Sequence, residues 1–194
     1  IGTKEGHFTR TSNRHDYALA PFSKTALDSL KDAGLDVIGV GKIPDIFVDQ
    51  GITRKIKTVS NEDGMNKTIE LASDNFNGLA FINLVDFDAV YGHRRNAAGY
   101  GKAIEEFDVQ LGELINELKN DDLLMVTADH GNDPTYRGTD HTREQVPLII
   151  YSKQFNEMKV LNDGDSFGII GSTICDNFNV KYNGIGSSIL ELLK

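Results

Sequence analysis

Along this chain, apolar residues alternate between helical spacing and short unbroken runs. Phe22, Ala26, Leu27 and Leu30 recur at helical spacing and predict a helix over 22–33, which Gly34 stops. Residues 35–40, Leu-Asp-Val-Ile-Gly-Val, read as a short strand with Gly41-Lys42 at its C-terminal end. A second short strand fits within 52–59, and Met65, Ile69 and Ala72 mark a helix over 64–73. Residues 78–87 form a near-continuous apolar run with Asp88 after it, the pattern of a strand covered on both faces. The strongest periodic segment spans 97–118. There Tyr100, Ala103, Ile104, Phe107, Leu111, Leu114, Ile115 and Leu118 make one apolar stripe, expected to be core, opposite a charged face.

Residues 122–128 predict another buried strand, with Asp129 and His130 at its end, and 146–151 a further one. A helix over 166–178 and a short one within 187–193 complete the chain. Strands alternating with helices predict an α/β fold with a largely parallel sheet. Residues 1–20 alone lack periodicity. They are polar, carry His7, Arg10, Arg14 and His15, and read as loop or extended chain, so the one compositional boundary lies near residue 20.

Composition narrows the function classes. The 194 residues suffice for one medium domain, and 39% hydrophobic with 25% charged is an ordinary globular balance. No apolar run approaches the roughly 20 residues of a membrane span. Twenty basic against 29 acidic residues give a net charge of −9. Such a field repels nucleic acid and anionic membranes, and neither is expected as a partner. A phosphorylated substrate needs only a local positive site. The single cysteine, Cys175, forms no internal disulfide and sits in an apolar stretch, so a buried thiol and a reducing, cytoplasmic setting are expected. The chain opens Ile1-Gly2-Thr3-Lys4-Glu5, without initiator Met or secretory pattern, which predicts a piece of something longer.

Ligand sites in open α/β sheets lie beyond the carboxyl ends of the strands. Three such ends carry candidates here: Lys42, Asp88 and Asp129. His93 follows Asp88 closely, His130 follows Asp129 directly, and His141 comes after Gly138-Thr139-Asp140, so three of the five histidines gather beside acidic residues. Carboxylate oxygens with imidazole nitrogens suit Mn²⁺, Fe²⁺ or Zn²⁺, and two such ions together can clamp a transferring phosphoryl group. An isolated Asp-His pair at a strand end is more often a loop hydrogen bond or cap; two such groups plus His141 favour a metal. Asp86 shares the strand face of Asp88, and spacing alone does not choose between them. Asp133 and Asp140 read as turn residues or as acceptors orienting a histidine. Arg94-Arg95 reads as a charge pair leading a helix, as support for that shell, or as a subunit contact.

Several stretches carry a resemblance. Thr127-Ala128-Asp129-His130-Gly131-Asn132-Asp133 followed by Gly138-Thr139-Asp140-His141-Thr142 resembles the alkaline phosphatase superfamily. Asn83-Leu84-Val85-Asp86-Phe87-Asp88, Tyr91-Gly92-His93-Arg94-Arg95 and Phe8-Thr9-Arg10-Thr11-Ser12-Asn13-Arg14-His15-Asp16-Tyr17 narrow the likeness to the phosphopentomutase family, bacterial enzymes that interconvert ribose 1-phosphate and ribose 5-phosphate. The resemblance implies an alkaline-phosphatase-like three-layer α/β core with a largely parallel sheet, incomplete in this chain. Residues 1–20 would be a remnant of the inserted cap domain and its hinge, and 21–194 the C-terminal part of the metal-binding core. It implies two Mn²⁺ per complete enzyme. One would be held by Asp88, His93 and His141; the other by Asp129, His130 and an Asp from an N-terminal half that this chain lacks. Arg10 and Lys42 would contact the sugar phosphate, and Arg14, His15 and Asp16 would belong to the hinge or support the ligands. The nucleophile would be a threonine, phosphorylated in the active enzyme, which donates its phosphoryl group through a bisphosphate intermediate. No threonine here stands in that context, so the resemblance implies an inactive fragment whose partner is the missing N-terminal half.

Two rivals stand beside this reading. One is another metal-dependent phosphomutase or hydrolase of the superfamily, such as the cofactor-independent phosphoglycerate mutases; the 8–19 segment speaks against it. The other is a non-catalytic metal-binding module that keeps Asp88, His93 and His141 and uses the basic 7–15 segment to bind an anionic partner.

Overall fold

The computed structural model describes residues 2, 4–7 and 18–193. Arg10, Arg14, His15 and Asp16, and with them most of the expected cap remnant, lie outside the described residues.

Helix α1 spans Ala26–Asp32. Thr25 caps it: its hydroxyl accepts from the Asp28 N–H at 3.4 Å, and the Asp28 carboxylate accepts from the Thr25 N–H at 2.7 Å. That cap starts the helix later than the apolar spacing predicted and leaves Phe22 outside it, fully exposed. Strand β1, Asp36–Val40, leads through Gly41 and Lys42 into the short α2, Ile43–Ile46. Strand β2 is Arg54–Ile56. Helix α3, Asn61–Ser73, begins three residues before the expected start because the Ser60 hydroxyl accepts from the Asp63 N–H at 3.1 Å. Strand β3, Gly78–Ile82, is shorter than the apolar run suggested. Helix α4 covers Ala97–Glu117, strands β4 and β5 cover Leu124–Thr127 and Leu148–Tyr151, and α5 covers Gly168–Asn177.

Among the described residues the strands fall into two sheets. Strands β2, β1 and β3 form a parallel sheet in that order, with Ile38 opposite Arg54 on one side and Ala80 on the other. Strands β4 and β5 form a separate antiparallel pair, Leu124 opposite Tyr151 and Thr127 opposite Leu148. The parallel sheet is covered on both faces, as parallel sheets require. On one face Val37 packs with Leu27 and Leu30 of α1, Ile43, Ile52 and Cys175 of α5. On the other, Ile38 and Val40 meet Leu71 of α3. Helix α3 in turn packs on α4, where Gln110 donates to the Asn66 side chain at 3.0 Å. The α4 stripe is only partly core. Ala103 and Leu114 are buried, while Ile104 remains 49% exposed, because α3 and the segment before α4 cover one side of the helix and nothing described covers the rest.

Candidate metal centre

Between β3 and α4 the chain does not continue as strand. Residues Phe87–Gly92 form a π-helical turn, so Asp88 sits inside a widened turn and not at a strand end. Its signature bond runs from the His93 N–H to the Asp88 carbonyl at 2.9 Å. A turn closed over five residues brings side chains five apart together, and His93 Nε2 lies 3.3 Å from Asp88 Oδ2. Phe87 anchors the turn on α4, its ring centroid 5.6 Å from that of Tyr100 and 6.1 Å from that of Phe107. The turn also separates the two aspartates that strand spacing left equivalent. Asp86 is a clamp: its carboxylate accepts from the Asn61 N–H at 2.7 Å, and its own N–H donates to the Asn61 side chain at 2.9 Å.

The other histidines come from beyond β4. The chain turns at Asp129 and His130, and Gly131 bridges antiparallel to Thr142, whose N–H donates to the Gly131 carbonyl at 3.1 Å. Only glycine fits at 131, since a Cβ there would stand 2.9 Å from the Thr142 carbonyl oxygen and the Glu144 N–H. The Asp133 N–H donates to Thr142 Oγ1 at 2.6 Å and closes the loop. This folding-back delivers His141 to the π turn.

Four side chains meet there. His141 Nε2 is 3.2 Å from His93 Nε2 and 3.3 Å from Asp88 Oδ1. The His141 ring lies between the His93 ring, centroids 4.8 Å apart, and the His130 ring, stacked at 3.8 Å and 18°. Asp88, His130 and His141 each present a donor atom, all within 4.8 Å of one another. The Thr139 carbonyl accepts at 2.5 Å from Nδ1 of His93, which turns Nε2 inward. Nδ1 of His130 is similarly paired to the Gly131 carbonyl at 3.1 Å. The acceptor that orients His93 is thus a backbone carbonyl, in place of the Asp133 or Asp140 carboxylate.

This donor set fits a divalent cation. Ligand atoms about 2.1 Å from one small ion stand roughly 3.0–3.4 Å from each other. The Asp88, His93 and His141 atoms already show that spacing. Asp129 is less engaged: its carboxylate is 3.8 Å from His130 Nε2 and 74% exposed. Lys42 occupies the capping position of α2 at the C-terminal end of β1. The Asp88 charge reaches Tyr100, whose hydroxyl is pushed up first by burial and then by that carboxylate.

Two further residues of the centre carry little signal in the sequence. Asn132, 9% exposed, donates from Nδ2 to Asp88 Oδ1 at 2.6 Å. Arg95 binds Asn132 Oδ1 at 2.7 Å and the carbonyls of Gly92, Asp133, Gly138 and Asp140. Asp133 is held below the usual carboxylate range, chiefly by the Thr135 hydroxyl and N–H and less by the Arg95 charge.

Residues 1–182 match the Metalloenzyme superfamily. The chain belongs to that superfamily. Membership and the donor set together imply a metal. Among curated relatives, a protein named phosphopentomutase from Agathobacter rectalis is 57% identical over 195 residues, covering 100% of this chain and 49% of its own length. One of the same name from Clostridium botulinum (strain Alaska E43 / Type E3) matches with the same identity and the same coverage. The chain therefore spans about half the length of the curated relatives it matches, in line with the resemblance read from the motifs. Among solved structures, phosphoglycerate mutase of Leishmania mexicana, determined at low cobalt concentration, superposes with a TM-score of 0.62 at 16% identity, over 87% of this chain and 39% of that one. At that identity the likeness concerns the fold, and it agrees with the three-layer α/β core expected.

Proposed function

We propose that this chain is the C-terminal part of a phosphopentomutase, an enzyme that interconverts ribose (or deoxyribose) 1-phosphate and 5-phosphate. The observation that carries the reading is 57% identity along the entire chain to proteins of that name, with the oxygen and nitrogen donors of the motifs drawn into one cluster. In this reading Asp88, His93 and His141 hold one Mn²⁺. Asp129 and His130 offer two of the ligands for a second. Bound there, the ions would supply positive charge to the transferring phosphoryl oxygens. Arg10 and Lys42 are the residues for the sugar phosphate.

The chain alone is expected to be inactive, its partner being the other half of the relatives' length. The divided sheet supports this. Among the described residues, β3 pairs with β1 on one edge only and β4 with β5 on one edge only, yet the segments leaving β3 and β4 are tied together by Asn132 and Asp88. A cleft of about 1970 Å³ runs along β5 and the segment after it, lined in part by the exposed Ile149, Met158, Val160 and Phe167. Unpaired strand edges and uncovered apolar side chains are what a missing half of one core leaves behind.

Calorimetric titration with Mn²⁺ and an assay for ribose 5-phosphate formed from ribose 1-phosphate test the reading. The expected result is Mn²⁺ binding that His93→Ala and His141→Ala each weaken. Turnover is expected only when the complementary half of the Clostridium botulinum relative is added. Unchanged affinity in both variants overturns the ligand set, and turnover by the chain alone overturns its inactivity.

A further inference from the structure

The ligand cluster stands on a second set of contacts whose purpose packing does not explain. Asn132 is almost fully buried, and both ends of its amide are used. Nδ2 donates to Asp88 Oδ1 at 2.6 Å; Oδ1 accepts from Arg95 Nη1 at 2.7 Å. Asp88 Oδ2 is left facing His93 at 3.3 Å. Arg95 in turn is fixed by four backbone carbonyls. Nε binds Gly138, Nη1 binds Gly92 and Asp133, and Nη2 binds Asp140. Those carbonyls belong to the π turn that carries Asp88 and to the loop that carries His141. The residue adopts a φ of 52° to make them, a left-handed conformation unusual for a side chain of this size.

We propose that Asn132, oriented by Arg95, is a positioning residue that sets the rotation of the Asp88 carboxylate for metal ligation. The Arg95 charge fixes which end of the Asn132 amide is oxygen, so the NH₂ end must face Asp88. That hydrogen bond occupies Asp88 Oδ1 and directs the lone pairs of Oδ2 toward His93. Arg95 thereby couples the orientation of one ligand to the loop that delivers another. The inference rests on the metal reading above for its role and on the hydrogen bonds for its existence.

The experiment compares Mn²⁺ affinity of the full chain with that of Asn132→Asp, Arg95→Lys and, as a control on the exposed face of α4, Gly112→Ala. Asn132→Asp keeps the size of the side chain and an acceptor for Arg95 but has no N–H for Asp88. Charge alone would make this variant bind a cation more tightly. A fall of about 10–100-fold, the usual cost of losing a group that orients a metal ligand, is the result expected. Arg95→Lys is expected to weaken binding as well, and Gly112→Ala to leave it unchanged. Wild-type affinity or tighter binding in Asn132→Asp overturns the proposal. A second readout needs no metal. In the ¹⁵N-labelled metal-free chain, the Asn132 side-chain amide is expected to exchange slowly with solvent and to lose that protection in Arg95→Lys. An amide that exchanges as freely as that of exposed Asn120 overturns the proposal even if the wild-type chain binds no Mn²⁺, an outcome that would by itself refute only the metal reading.

Discussion

Gly92→Ala adds a single methyl group at the floor of the centre, and its effect follows from distances. The new Cβ would stand 2.5 Å from Asn132 Nδ2, 2.7 Å from Asn132 Cγ and 3.1 Å from the Phe87 carbonyl oxygen. Ordinary contact is about 3.5 Å, so the amide must retreat by roughly 0.5–1 Å. It cannot do so and keep its 2.6 Å bond to Asp88. A hydrogen bond to a charged group contributes about 1.5–3 kcal/mol, which converts to a loss of about 10–100-fold in cation affinity if the bond serves the ligand. Gly112→Ala is the matched control. It lies on the exposed face of α4 with nothing within 4 Å of its Cβ, and replacing a mid-helix glycine there is expected to stabilise the chain by about 0.5–1 kcal/mol. Mn²⁺ titration and urea unfolding followed by circular dichroism read both variants. If Gly92→Ala binds Mn²⁺ as the unmodified chain does, Asn132 does not govern the ligand and the reasoning fails.

Leu30→Ala empties a site with no exposure between α1, β1 and α5; a loss of about 2–5 kcal/mol is expected in urea unfolding, and a loss below about 1 kcal/mol would show that this core is not the one described. Cys175 is buried and its thiol is pushed up by that burial, so a chromogenic disulfide reagent should label it only once denaturant is added; prompt labelling of the native chain refutes the packing of α5. For Asp28, burial pushes the carboxyl up but is outweighed by hydrogen bonds from Gln50 and Thr25, leaving it below the ordinary value. A depressed folded value means the stability is fully present above the unfolded value of about 3.9 and is lost as pH falls through the folded one. Urea midpoints measured down that range should therefore fall less steeply in Asp28→Asn, and an identical acid dependence would remove the cap from the explanation.

Much of the architecture follows from spacing. The strand at 36–40, the helices at 61–73 and 97–117 and the buried Cys175 all lie close to where the apolar pattern puts them, because burial, on both faces of the strand and on one side of each helix, follows that pattern. What spacing misreads are places where a rarer geometry intervenes. The run from 78 to 87 looks like one strand, but the chain leaves the sheet after Ile82 and enters a π turn, a form with no periodic signature in side-chain polarity. The antiparallel partnership of β4 and β5 is equally silent, since a half-buried strand does not reveal which way its neighbour runs. Asp88, His93, His130 and His141 are legible as candidates because histidines beside carboxylates are chemically conspicuous, and the π turn and the Gly131–Thr142 loop bring them together. Asn132 was in view inside its motif, yet an asparagine between an aspartate and a glycine reads as a turn residue. Only its burial and its two-ended hydrogen bonding reveal more.

The divided sheet makes the centre a junction. Asp88 and His93 lie beyond β3 of the parallel sheet, whereas His130 and His141 lie beyond β4 of the antiparallel pair. An ion held by Asp88 and His141 together would bridge two sheets that, among the described residues, share no ladder. Ion binding and the contact between the two loops would then be linked, and by reciprocity the ion would add to the hydrogen bonds of Asn132 and Arg95 that already hold the loops together. Viewed so, the cluster is a clasp between two loops, and metal titration becomes a gauge of how firmly they are held together.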